Sequence, residues 1–295
     1  MSDVVVFSGF NALIADEDRT RFLSTPSVLK RIEEASDILS INLTKYCNGS
    51  SAEMYEIENS PLTAALITAI QVGAFEAVQE KIAPQSWLMG CSLGDIARTV
   101  CAGSIDFNEL IGTYAKFTEL ATSMGGIGFN AVIISRNAIT QEALKKLNDG
   151  GMSVSTMSPF FMNVAGSNDA YKELNDIAGA QGWRVQKILD FPAHSQLLVP
   201  HLKPFWDVLP KGEVRLPKFR IFSSLTCREL ATCSEIQDEV YLNMVTPVRW
   251  AEAVDHLIRE ESVTRMINIG PCESLTKITK RSGHGIEFVN GWELA

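Results

Sequence analysis

The stretch SWLMGCSLGDIARTVCAG, Ser86–Gly103, decides how the rest of the chain is read. SWLMG is an apolar run of strand length, and SLGDIARTVCAG has the residues of a helix that closes on Gly103. Where the two meet, Gly90-Cys91-Ser92-Leu93-Gly94 spells G-x-S-x-G. Glycines flanking a serine allow a sharp strand-to-helix turn that leaves the hydroxyl exposed at the end of a sheet. The helix that follows aims the Leu93 N–H at negative charge developing beside Ser92. We therefore read Ser92 as a nucleophile rather than a helix cap, and a serine needs a base to act at neutral pH.

Four histidines are available. His256, inside AEAVDHLIREE, and His284, in a polar tail, read as surface residues. His194, in DFPAHSQLL, follows a strand and precedes a helix, and His201 lies seven residues further on. Position favours His194 without excluding His201.

Outward from the turn, DVVVFSGF (3–10) reads as a strand, and PLTAALITAIQVGAFEAVQEKI (61–82), apolar on nearly every face, as a buried central helix. DFNELIGTYAKFTELATS (106–123) is an amphipathic helix. From 127 to 192 the pattern runs strand, helix, strand, strand, helix, strand, the ferredoxin-like order, whose ends lie close together. Such a unit is readily inserted into a larger domain. RIFSS, PVRWAEAVDHLIREE and TRMINIG then resume strand, helix and strand. The expected fold is α/β: an α/β-hydrolase-like large domain with a parallel sheet, built from 1–126 and 193–295, and an inserted ferredoxin-like small domain, 127–192.

Composition narrows the function. A net charge of −9 argues against general nucleic-acid binding, which needs a basic surface to neutralise phosphates. The apolar runs are broken short of the roughly 20 residues that span a bilayer. The six cysteines are scattered without C-x-x-C spacing, so they read as reduced thiols in a cytoplasmic protein, with no metal site. Cys91 reads as a packing residue, and Trp206 and Trp250 as core.

Four stretches, GCSLGD, FPAHSQLL, TPVRWAEAVDHL and INIGPCESLTKITKR, together resemble the malonyl-CoA–acyl carrier protein transacylase family. The likeness runs in order over essentially the whole chain, including the small domain. It implies a serine acyl-enzyme with Ser92 as nucleophile and His194 as base and acid. It further implies an oxyanion hole from the Leu93 and Phe10 N–H groups, and the Asn243 main-chain carbonyl as the group that orients His194. No metal or bound cofactor is implied; phosphopantetheine of an acyl carrier protein, or coenzyme A, enters as part of the substrate.

The departures carry the specificity. Family members that take malonyl groups carry an arginine at the position of Phe117, where a planar fork binds the carboxylate. Phe10 and Ser60 stand where the family has glutamines, and Met157 begins MSPFF where the family has a polar stretch. The expected acyl pocket, Phe10, Ser60, Phe117 and Met157, is largely apolar, and a carboxylate desolvated there without a partner costs several kcal/mol. The expected function is a neutral-acyl transferase of polyketide pathways, monomeric and without membrane or nucleic-acid partners. It would act on acyl carrier protein or acyl-CoA. The alternatives are an editing hydrolase that clears stalled acyl groups from the carrier, and a non-catalytic docking protein of the same fold. A basic rim of Lys203, Lys211, Arg215, Lys218, Arg220, Lys277, Lys280 and Arg281 would suit an acidic carrier.

Overall fold

The structure, a computed structural model, describes residues 2–10, 16–201, 203, 206–207, 209 and 212–294. Two sheets organise it. The larger is wholly parallel, in the order β7-β2-β1-β8-β9: Arg220–Phe222, Trp87–Gly90, Ser2–Phe7, Val263–Asn268 and Glu287–Asn290. β1 pairs in register with β2, Val4 opposite Trp87 and Phe7 opposite Gly90. VVVF along β1 is buried throughout, as a strand covered on both faces requires.

Four helices, α1 (Asp16–Ser24), α2 (Pro26–Leu39), α3 (Leu43–Cys47) and α4 (Ser51–Met54), lead from β1 to α5, Ser60–Val78. With its flanking turns α5 is long and apolar enough to cross a membrane, yet 83% of its 18-residue apolar stretch is buried inside the protein. It is the core helix its all-round hydrophobicity implies. α2 lies against it so closely that Gly73 has no room for a methyl group: a Cβ there would stand 2.4 Å from the Val28 Cα.

After β2 come α6 (Leu93–Cys101) and α7 (Phe107–Met124), the latter started by the Asp106 carboxylate, which accepts from the Asn108 and Glu109 N–H groups. The smaller sheet follows: β3 (Gly128–Ile134), α8 (Gln141–Asp149), β4 (Ser153–Ser158), β5 (Phe161–Ser167), α9 (Asn168–Gln181) and β6 (Arg184–Leu189). Its order β4-β5-β3-β6, antiparallel throughout, is the ferredoxin-like arrangement. It has its own core, with Phe129, Ile133, Leu147, Val164 and Leu174 enclosed. The chain then returns to the parallel sheet at β7; α10 (Cys233–Leu242) and α11 (Trp250–Arg259) lead on to β8, and α12 (Ser274–Arg281) to β9.

β9 was not expected. It is a short edge strand with an exposed or half-exposed face at every position, so it carries no apolar signature. Trp250 is core, 1% exposed, but Trp206 is 41% exposed, resting edge-on against Tyr241.

Candidate active site

Ser92 sits where β2 turns into α6, with φ 58° and ψ −116°. That backbone is strained for a residue with a Cβ, at a cost of about 1–3 kcal/mol. Its neighbours hold it there. Cys91 N–H donates to Phe7 O (3.2 Å), Gly94 N–H to Cys91 O (3.0 Å) and Asp95 N–H to Ser92 O (2.9 Å). Both glycines of the turn are required by contact rather than by φ. A Cβ on Gly90 would lie 2.2 Å from Asp95 N, and one on Gly94 2.1 Å from Phe7 O. The elbow is thus pressed against the end of β1.

His194 enters from the far side, just after β6, and is buried. Its φ is 63°, so both members of the pair hold a left-handed backbone. Its N–H donates to Met244 O (2.7 Å), and Asn130 Nδ2 donates to the Ala193 carbonyl beside it (3.1 Å). Nε2 lies 2.7 Å from Ser92 Oγ. Nδ1 lies 3.1 Å from Thr246 O. A carbonyl can only accept, so Nδ1 carries the proton and Nε2 is left to accept from Ser92.

The orienting group therefore differs from the one expected. Thr246, the residue directly before Pro247, supplies the Nδ1 partner; the Asn243 carbonyl acts on the imidazole more weakly. The physical reason is the proline, which drives its predecessor out of helical conformation and frees that carbonyl from a helical ladder. Asn243 caps α10 and sends its side chain back to the elbow: Nδ2 lies 3.4 Å from both Ser92 O and Asp95 Oδ2.

Burial pushes the His194 imidazole below its ordinary 6.5; the Thr246 bond, the Asp95 charge and the Asn243 carbonyl pull upward without prevailing. A neutral imidazole at neutral pH is a competent base. Burial, and then the Asp95 charge, pushes the adjoining Cys91 thiol up, which leaves it inert as a nucleophile.

Leu93 is the first residue of α6, so its N–H has no acceptor in its own helix. The Gly9–Phe10 segment passes close by: a Cβ on Gly9 would stand 2.9 Å from Cys91 O and 3.5 Å from Ser92 Cβ. The Phe10 ring packs edge-on against Tyr55, centroids 5.5 Å apart. Phe117, half-buried on α7, packs into an apolar cluster with Ile57, Phe191, Ala193, Met244 and Val245, which includes the residue before His194 and one of its anchors, Met244. Ser60 spends its hydroxyl on Ile57 O at 2.7 Å. Met157 is not with these groups. It is buried with Cys91, Met89 and Trp250 in a separate cluster, because β4 lays its Met157 side toward α11 and α12.

The basic rim is only partly a rim. Arg220 begins β7, opposite Trp87 at the other end of the sheet from Ser92, and pairs with Glu229 and Glu261. Lys277 pairs with Glu273, and Arg281 donates to Ser135 O. Lys211 lies outside the described residues. No group of three or more His, Cys, Asp or Glu able to hold a metal occurs among the described residues.

Sequence reasoning missed a buried charge cluster under the elbow. Asp95 and Arg98 of α6 meet Glu239 of α10; Arg98 Nε lies 3.0 Å from Asp95 Oδ1, and Arg98 also pairs with Glu239. Ser224 Oγ donates to Asp95 Oδ2 at 3.0 Å. The D-x-x-R spacing within DIARTV was the available signal; Glu239 had none.

No family model matches the chain. The malonyl CoA-acyl carrier protein transacylase of Haemophilus influenzae is 24% identical over 266 residues, 87% of this chain and 84% of that protein. A solved complex of a type II polyketide synthase acyl carrier protein with its malonyl-transacylase includes a chain that is 27% identical. It superposes with a TM-score of 0.83 over 98% of this chain and 95% of that one. The malonyl CoA-acyl carrier protein transacylase of Coxiella burnetii, 21% identical, shares the fold at a TM-score of 0.86 over 100% and 96% of the two chains. A parallel α/β sheet joined to a ferredoxin-like subdomain, with relatives of this kind, defines the chain as an acyltransferase. Its likeness, over nearly the whole chain, is to malonyl-CoA–acyl carrier protein transacylases.

Proposed function

We propose that the protein transfers a neutral acyl group between thioester carriers through a Ser92 acyl-enzyme. The observation that carries this reading is the 2.7 Å contact of Ser92 Oγ with His194 Nε2 on a strained elbow. Oγ attacks the thioester carbonyl while its proton passes to Nε2. The tetrahedral oxyanion is met by the Leu93 and Phe10 N–H groups. The C–S bond then breaks, and the departing sulfur takes the proton from His194. The incoming carrier thiol gives its proton to His194, attacks the ester carbonyl and receives the acyl group, and Ser92 recovers its proton.

The carriers are an acyl carrier protein, through its phosphopantetheine thiol, and coenzyme A, as the relatives' names indicate for those proteins. The polyketide synthase partner of one relative supports a place in polyketide biosynthesis. The neutral acyl group follows from Phe117, which packs against the apolar cluster of Phe191, Leu198 and Val245 and offers a carboxylate no fork. Phe10 and Ser60 complete the lining; Met157 lies outside it.

Intact-protein mass spectrometry after exposure to a panel of malonyl and neutral acyl thioesters tests the reading. Acylation at Ser92 by neutral donors supports it, and efficient malonylation overturns the neutral-acyl assignment. Decay of the adduct into water rather than onto a carrier thiol would make the protein an editing hydrolase.

A further inference from the structure

The two elements that carry the pair meet at charged groups. Asp95 and Arg98 lie one turn apart on α6, on the face that α10 covers, and both are fully enclosed. Glu239, 5% exposed, reaches Arg98 from α10. One turn beyond Glu239, α10 ends, and the chain that leaves it holds His194: Met244 O takes the His194 N–H, and Thr246 O takes the Nδ1 proton. Asn243, the residue just before Met244, touches Ser92 O and Asp95 Oδ2. The seat of α10 on α6 thus sets where His194 stands relative to Ser92.

An apolar contact could supply equal stability at that seat, since buried ion pairs are often replaced by apolar groups without loss. What it could not supply is direction. A guanidinium shared by two carboxylates fixes the helices along and across their axes, whereas packed aliphatic chains permit sliding. We infer that Arg98 and Glu239 are positioning residues, whose bridge from α6 to α10 holds His194 in reach of the Ser92 hydroxyl. The inference rests on the nucleophile–base reading of the pair.

The test uses a fluorophosphonate, which needs no knowledge of the acyl group. Ser92 Oγ attacks phosphorus, fluoride leaves, an O–P bond forms and the hydroxyl proton passes to His194. Glu239→Met removes the bridge yet leaves Arg98 balanced by Asp95. With folding verified by circular dichroism, its labelling rate should fall ~100-fold, the scale of a displacement of about 1 Å. Its pH profile should lose the His194 inflection and rise with hydroxide instead. Glu239→Gln, which keeps an acceptor for Arg98, should recover to within ~10-fold of wild type.

A folded Glu239→Met protein that labels at the wild-type rate overturns the inference. So does one slowed equally at every pH with the inflection intact, since a merely structural role predicts that. If Glu239→Met does not fold, Arg98→Lys replaces it, as one ammonium cannot fork to both carboxylates. Its labelling should fall several-fold with the same change of profile, and wild-type behaviour overturns the inference. A wild-type protein that fails to label at Ser92 is a different failure: it removes the nucleophile reading and this inference together.

Discussion

His194 Nε2 stands 2.7 Å from Ser92 Oγ across 102 positions of sequence, and each residue is held there at positive φ. Neither conformation is stable alone. Each is over-determined by its surroundings, Ser92 by the end of β1 and His194 by Met244 and Thr246. Strain concentrated at two facing residues and supported from separate elements is what a pre-organised reacting pair requires.

Removal of either partner should have unequal effects. Ser92→Ala should abolish the covalent acyl adduct, whereas His194→Ala should slow its formation by ~10²–10⁴, the worth of general base catalysis. Both variants should remain folded. Intact mass measured against time after mixing with an acyl thioester checks this, and an undiminished adduct on Ser92→Ala would point away from the elbow.

Phe117→Arg should raise the preference for malonyl over acetyl donors at least ~10-fold, by supplying charge-assisted hydrogen bonds worth about 1.5–3 kcal/mol each. Selectivity should stay below that of a full malonyl enzyme, because Phe10 is apolar and Ser60 is committed to Ile57. The ratio of the two Ser92 adducts in a competition decides it.

The reaction should lose rate as pH falls through a midpoint below 6.5, because burial depresses the His194 value and only the neutral ring can take the serine proton. Asp95→Asn should move that midpoint lower still, as the Asp95 charge favours the imidazolium. Stability carries the same sign. The folded ring binds protons less readily than the unfolded one, so its contribution is complete above about 6.5 and is lost as pH falls toward the folded value. Rate profiles and denaturant titrations at pH 5 to 8 measure both.

Gly94→Ala should destabilise the fold by about 3 kcal/mol or more, since its methyl group would meet the Phe7 carbonyl at 2.1 Å, and backbone cannot yield as a flexible side chain can. A fall in Tm of roughly 5 °C or more is expected for a chain of this size. Gly126→Ala is the control: nothing lies within 4 Å of its Cβ position, so only its φ of 80° opposes the change.

What the sequence determined by itself were features that arise within a few residues. A glycine on each side of Ser92 specifies a tight turn whatever lies around it, and the strand and helix beside it follow from apolar length and period. The order of elements from β3 to β6 was legible for the same reason, since alternation and caps are local. His194 could not be separated from His201 by such rules. Only the fold, through contacts with Met244 and Thr246, decides which ring meets the serine.

The tertiary structure alone decided what depends on distant partners. Thr246 more than Asn243 orients the histidine because a carbonyl's direction is set by the path of the chain around Pro247. Met157 left the expected pocket because the seating of β4 on α11 and α12 turns it toward Cys91. Glu239 reached Arg98 across 141 positions, with nothing in either segment to announce the other. Periodicity and turn chemistry are properties of neighbours in sequence, whereas a bridge between two helices exists only after both have been packed.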